Sequence, residues 1–339
     1  MKKFFTLTGI SFMFLLTSCD DGNLVYKDID FNNVTAVQRC TTPGADKIFY
    51  KLQNDEALIL VIDADNIMRD ETINRARVEI SGTDTSLDYR KYTDKVEGTS
   101  ICNLPPPATP SVIQSIPASP GGTVIIDRTV QVNNNTTATD NSVNLIYQYT
   151  FSLLNIHFNQ GDTSIKYDQM TFGSTTYANR TLAFKFDNNN GNGLNNFNCN
   201  NSLYNLKDTK TSEALILNIT EDDLPTEATA ESIIELNDKR LLSIKQYSRT
   251  GINLNQVCEY EGDIPGSNTN NPNKLEEYWV APKGQIVIKS RWTEPVDGSE
   301  PKLLHEISLR NLTFIKASNT DRTFVKPTLP FGTIVTDKK

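Results

Sequence analysis

Side chains able to do chemistry are few in this chain. It has two histidines in 339 residues, His157 and His305. A lone imidazole within a strand-forming run is more often a structural hydrogen-bonding group than a ligand or a base. No GxSxG elbow, HExxH pair or phosphate-binding glycine loop occurs, so no catalytic residue is assigned. Carboxylates are plentiful. Asp63, Asp65, Asp70 and Glu71 follow one apolar run, and Glu221, Asp222 and Asp223 follow another. Two acids facing across a cleft would suit polysaccharide hydrolysis, and hard oxygen ligands would suit calcium. Neither cluster has EF-hand spacing, and the Asn-rich run 188–198 lacks the closing Glu. No cofactor or metal is expected, with calcium the weak alternative. Trp279 and Trp292 are the candidate ligand contacts, since an exposed indole could stack on a sugar face; core packing is the competing reading.

Composition narrows the partners. A net charge of -8 and a pI near 5.0 argue against the basic face that nucleic acid requires. A mean hydropathy of -0.41 with one long apolar run argues against a multi-span membrane protein.

That run lies at the start. Lys2 and Lys3 precede an apolar stretch over 4–16, which reads as a secretory leader too short for a comfortable span. It ends Leu16-Thr17-Ser18-Cys19, a Leu, two small residues and a Cys. This resembles the lipobox of bacterial lipoproteins. The resemblance covers the leader alone and implies cleavage before Cys19, acylation of its thiol, and a membrane anchor with more than one acyl chain. Asp20 and Asp21 follow at once, as in the surface-export signals of Bacteroidetes-type lipoproteins; in enterobacterial lipoproteins an Asp there implies inner-membrane retention. The outer membrane is the expected address, with the domains at the cell surface or facing the periplasm. The expected divisions are a signal peptide over 1–18 and a lipidated tether over 19–23.

With Cys19 lipidated, four cysteines remain: Cys40, Cys102, Cys199 and Cys258. An even number in an exported chain implies disulfides. An internal repeat suggests the pairing. Glu56-Ala57-Leu58-Ile59-Leu60 recurs as Glu213-Ala214-Leu215-Ile216-Leu217. Phe151-Ser152-Leu153-Leu154-Asn155-Ile156-His157-Phe158 matches Ile307-Ser308-Leu309-Arg310-Asn311-Leu312-Thr313-Phe314. Gly122-Thr123-Val124-Ile125-Ile126 matches Gly284-Gln285-Ile286-Val287-Ile288, and Val78-Glu79-Ile80 matches Ile234-Glu235-Leu236. The matches are collinear, and they align Cys40 with Cys199 and Cys102 with Cys258. The expected bridges are Cys40–Cys102 and Cys199–Cys258. A four-Cys zinc site would need short CxxC-like spacing, which is absent.

Strand patterns must position these groups. Apolar or alternating runs at 48–50, 57–62, 122–132 and 143–158 have counterparts at 214–219, 285–292 and 304–315. The segment 221–237 is the best candidate for a short helix. Period-2 alternation places Asn155 with Phe151, Leu153 and His157 on one face, so this Asn and Asn311 are expected to be buried with a satisfied amide. Pro- and Gly-rich loops are expected over 103–122 and 259–283. The predicted fold is all-β: two tandem, internally duplicated β-sandwich-like domains, 24–178 and 179–339, each with one disulfide. The expected function is a lipid-anchored, non-enzymatic module that binds or presents a glycan or an envelope protein. A structural envelope component and a carboxylate-dependent polysaccharide hydrolase are the alternatives.

Overall fold

The computed structural model describes residues 28–63, 72–134, 142–161, 163–184, 186, 202–206, 212–249, 257, 275–295, 298 and 300–337. Cys19, Cys199, Cys258, Asp65, Asp70, Glu71 and the run 188–198 lie outside the described residues. The chain divides at Asp30/Phe31, and the architecture below belongs to the unit that begins at Phe31.

The chain is nearly all β, in three antiparallel sheets. In the first half, β2 (Ile48–Gln53) and β3 (Glu56–Ile62) form a hairpin, turning at Asn54 with a φ of 55°. β3 pairs with β5 (Thr85–Tyr92), and β5 with β6 (Val112–Pro117). With β1 (Gln38–Arg39) they make a five-stranded sheet ordered β1-β2-β3-β5-β6. A four-stranded sheet, β4-β7-β8-β9, uses β4 (Arg75–Glu79), β7 (Thr123–Asn134), β8 (Val143–Gln160) and β9 (Thr163–Leu182). Their inner faces meet sandwich-fashion where Phe49 of β2 packs on Phe151 of β8, ring centroids 4.8 Å apart. Below β2 and β3, Cys40 is bonded to Cys102, the last residue of the one-turn helix α1 (Gly98–Cys102), within a cluster that includes Tyr50, Ala57, Ile59 and Ile101.

The second half is one seven-stranded sheet. Its path is β10 (Leu203–Leu206), β11 (Glu213–Leu217), β13 (Leu242–Tyr247), β14 (Leu275–Trp292), β15 (Leu303–Lys316) and β16 (Asn319–Thr336). β12 (Thr229–Glu235) pairs with the later part of β14. β14 does the work of two first-half strands. Its first part pairs with β13 as β6 pairs with β5, and its later part pairs with β12 and β15 as β7 pairs with β4 and β8. Between these parts the register slips at Lys283, next to Gly284 at a φ of 138°.

Four sequence expectations need correction. The segment 221–237 is not a helix: a 3₁₀ turn at Glu221–Asp223 leads to Pro225 and then to β12, whose residues find partners on β14. The loop expected over 259–283 cannot extend past 274, because Leu275 begins β14; likewise β6 lies inside the loop expected over 103–122. The domain boundary expected at 178/179 falls inside β9, which is paired to β8 as far as Leu182. One apolar cluster joins Val143, Leu145, Tyr147 and Leu182 to Ile244, Ile288, Leu309 and Phe324 across that boundary.

The fourth correction concerns the shared asparagines. Asn155 and Asn311 are exposed, at φ values of 53° and 56°. Asn is among the few residues that enter this left-handed region readily. One such residue breaks the period of two, so Leu153 and Ile156 are both buried, as are Leu309 and Leu312. A Cβ on Gly122 would come within 3.2 Å of the Asn155 carbonyl oxygen, and one on Gly284 within 3.1 Å of that of Asn311. Each half therefore has a left-handed asparagine whose carbonyl faces a glycine.

Candidate functional site

The densest polar chemistry lies where the halves meet. Along the start of β14, Leu275, Glu277, Trp279 and Ala281 alternate inward, so the strand's period carries a carboxylate into the core. Glu277 is fully buried, as are Trp279 and Lys316, the last residue of β15. From the first half, β8 brings Tyr147 and β9 brings Arg180.

Every oxygen of Glu277 is engaged. Tyr147 Oη lies 2.7 Å from each carboxylate oxygen and donates its proton there. Arg180 Nη1 donates to Oε1 at 2.6 Å, Trp279 Nε1 to Oε2 at 2.9 Å, and Lys316 Nζ to Oε2 at 3.1 Å. Lys316 also donates to Tyr147 Oη at 2.7 Å. Burial pushes the Glu277 carboxyl up, but the charges of Lys316 and Arg180 and the hydrogen bonds from Tyr147 and Arg180 outweigh it, and the net direction is down. A general base needs a proton affinity near that of its medium and a free lone pair aimed at substrate. Glu277 offers neither. Its arrangement can bind the halves together, with each charge answered by a hydrogen-bonded partner.

Trp279, expected as a ligand contact, is spent in this network. Its indole is buried against Phe324, centroids 4.9 Å apart, so neither face can stack on a sugar. Trp292 sits at the other end of β14, half-buried. The two expected ligand contacts are not brought together.

His305 forms a second buried chain. Ser290 Oγ lies 2.8 Å from its Nδ1, and Thr336 Oγ1 lies 2.9 Å from its Nε2. A serine on a histidine looks like an activated nucleophile, but the group that would orient the imidazole is a hydroxyl rather than a carboxylate, and Ser290 itself is buried. Burial lowers the His305 pKa and favours the neutral ring. His157 is exposed on β8.

The carboxylate clusters also have local duties. Asp63 pairs with Lys47. Asp223 accepts the Thr220 backbone N–H at 2.9 Å and pairs with Arg240 Nε at 2.8 Å. Asp222, Asp223, Glu227, Glu235 and Arg240 contribute to an open groove of about 710 Å³ along β12. Among the described residues, no three His, Cys, Asp or Glu side chains gather closely enough to hold a metal ion.

Sequence reading missed Glu277, Lys316, Tyr147 and Arg180. The signal that could have found the first was a Glu two residues before Trp279 on the apolar side of a strand. The outer surface adds one feature. Val112 and Ile113 are 45% and 58% exposed on β6, an end strand of the five-stranded sheet, and Leu104, in the loop before it, is 65% exposed.

Comparison with protein-family models, with curated proteins and with solved structures finds no match.

Proposed function

We propose that the chain is an exported, lipid-anchored envelope protein that presents a rigid β scaffold to a protein partner and catalyses no reaction. The observation that carries this reading is the contrast between interior and edge. Glu277, Lys316, Tyr147, Trp279 and His305 are consumed by internal bonds. Val112 and Ile113 instead stand in solvent on β6, which has no strand beyond it in the sheet among the described residues, and Leu104 is exposed in the loop before it. Exposed apolar groups on a free edge favour a partner that adds backbone hydrogen bonds and covers side chains. The Cys40–Cys102 bridge supports export, since such bonds persist in oxidising compartments. The Leu16–Cys19 lipobox supports anchorage at the outer membrane, with the scaffold at the cell surface. Burial of Trp279 favours a protein over a glycan.

We also infer that the two halves descend from one duplicated unit. The matched strand pairing and the paired Gly122/Asn155 and Gly284/Asn311 contacts, each at a left-handed asparagine, support it.

The test has two arms. An alkyne-palmitate label should enter the wild-type chain in cells and be lost in Cys19→Ser. A photo-crosslinking residue at position 113 should give a discrete protein adduct on intact cells, and one at exposed Asp321 should not. An unlabelled wild-type chain defeats the anchor. Absence of an adduct at 113, or equal adducts at both positions, defeats the docking edge.

A further inference from the structure

Three cations surround one phenol at the junction of the halves, and Glu277 pairs with two of them. Lys316 Nζ lies 4.5 Å from the Tyr147 ring centroid, with the guanidinium carbons of Arg180 and Arg322 at 5.7 and 5.8 Å. Glu277 takes hydrogen bonds from Lys316 and Arg180. Arg180 also donates to the Glu276 carbonyl at 2.6 Å, and its side chain keeps 24% of its surface in solvent.

Arg322 has neither outlet. It is 7% exposed on the inner face of β16, and among the described residues neither of its terminal nitrogens has a hydrogen-bond acceptor. The nearby Asp321 carboxylate belongs to the opposite, exposed side of the strand and accepts from Asn74 Nδ2 at 2.8 Å. The Tyr147 ring can offset part of the charge through its face, but it leaves the in-plane N–H groups unmet. A buried, unpaired guanidinium is strongly unfavourable. A second arginine repeats the pattern. Arg128 is 5% exposed and lies over Tyr149, its centroid distance 5.7 Å; its Nη1 reaches the Ile73 carbonyl at 3.2 Å, while Nη2 has no acceptor. Tyr177 links the two places, stacked on Tyr149 at 4.0 Å and 5.8 Å from Tyr147.

We propose that this junction binds a small oxyanion of the phosphate or carboxylate class on the terminal nitrogens of Arg322, with Arg128 adding to the positive potential. The forked donors of a guanidinium match two oxygens of such an ion. Asp321 and Thr323 face away on the exposed side of β16, so an ion reaching Arg322 would enter from the junction side. Occupancy would neutralise the excess charge and tie β16 to the first half, making an anion a structural ligand of the scaffold.

The test is thermal unfolding of the purified full-length chain in phosphate, with chloride making up constant ionic strength, for wild type and Arg322→Met. Phosphate stabilises many proteins non-specifically, so the informative component is the saturable one. Wild type should gain roughly 3–5 °C at a hundredfold excess over Kd. Arg322→Met should show no saturable gain. In phosphate-free chloride, Arg322→Met should melt at or above wild type, because methionine removes a charge left without a partner. Titration calorimetry on wild type gives a direct reading if the variant fails to fold, with Arg322→Lys expected to bind at least tenfold more weakly for want of the fork. No saturable response and no binding heat in wild type would overturn the proposal, as would an equal response in Arg322→Met.

Discussion

Replacing Glu277 by Gln changes one oxygen to an amide while keeping the size of the side chain. Whichever way the amide turns, its NH₂ faces donors: Trp279 Nε1 and Lys316 Nζ on one side, Arg180 Nη1 on the other. Tyr147 Oη also loses a charged acceptor. Lys316, fully buried, loses the carboxylate charge 3.1 Å from its Nζ. Breaking a buried pair from one side costs about 3–5 kcal/mol, and the donor clash places Glu277→Gln at the upper end. Lys316→Met should cost less, about 2–3 kcal/mol, because Glu277 keeps Arg180, Tyr147 and Trp279 as partners. The double variant should fall well short of the sum, since the pair acts as a unit. Urea unfolding followed by circular dichroism and by tryptophan emission gives these values, and Trp279 reports on the network itself. A Glu277→Gln cost below about 1 kcal/mol, or strict additivity with Lys316→Met, refutes the idea that this cluster fastens the halves.

Acid should weaken the fold in two steps. His305, held below its ordinary 6.5 by burial, lets the unfolded chain bind more protons as pH falls through that value, so stability is full above it and declines below. Glu277, held below 4.5 by Lys316 and Arg180 against its burial, contributes stability that is present above 4.5 and lost as pH falls through its lower folded value. His305→Gln should remove the first step from a stability-against-pH curve and leave the second. Reduction of Cys40–Cys102, which spans a separation of 62 residues, should cost about 4 kcal/mol on the loop-entropy model; non-reducing peptide mapping should find Cys199–Cys258 beside it, and a Cys40–Cys199 peptide would contradict the duplication. Gly173→Ala should cost roughly 3 kcal/mol, because its Cβ would fall on the Thr35 carbonyl oxygen at a φ of 124°. Asn311→Gly should stay within about 1 kcal/mol, whereas Asn311→Val should cost about 2; equal effects would remove the argument from left-handed backbone.

Much of the strand framework was legible because it is local. The EALIL segments read as buried strands and became β3 and β11, and the Cys40–Cys102 pairing followed from repeat register alone. Asn155 was misread for a physical reason: period-2 extrapolation assumes every residue is extended, and one left-handed residue reverses the faces beyond it. β9 and β16 were under-read because one side of each is mostly polar and exposed, which leaves little apolar signal. The 221–237 segment carried helix-compatible acids, yet its strand state is set by partners on β14 fifty or more residues away. The junction was hidden by sequence distance, since Tyr147 and Glu277 are 130 residues apart and neither is unusual alone. Of the two readings open for Trp279, the structure shows core packing, with its indole N–H serving a buried carboxylate.

The most direct test of the account is protease treatment of intact cells, with lysed cells as the control and cleavage sites mapped by mass spectrometry. Surface presentation predicts cuts within 103–111, beside the exposed Leu104 and Ile113, before lysis. Full protection of that segment until the cells are broken, with cleavage afterwards, would contradict presentation at the cell surface.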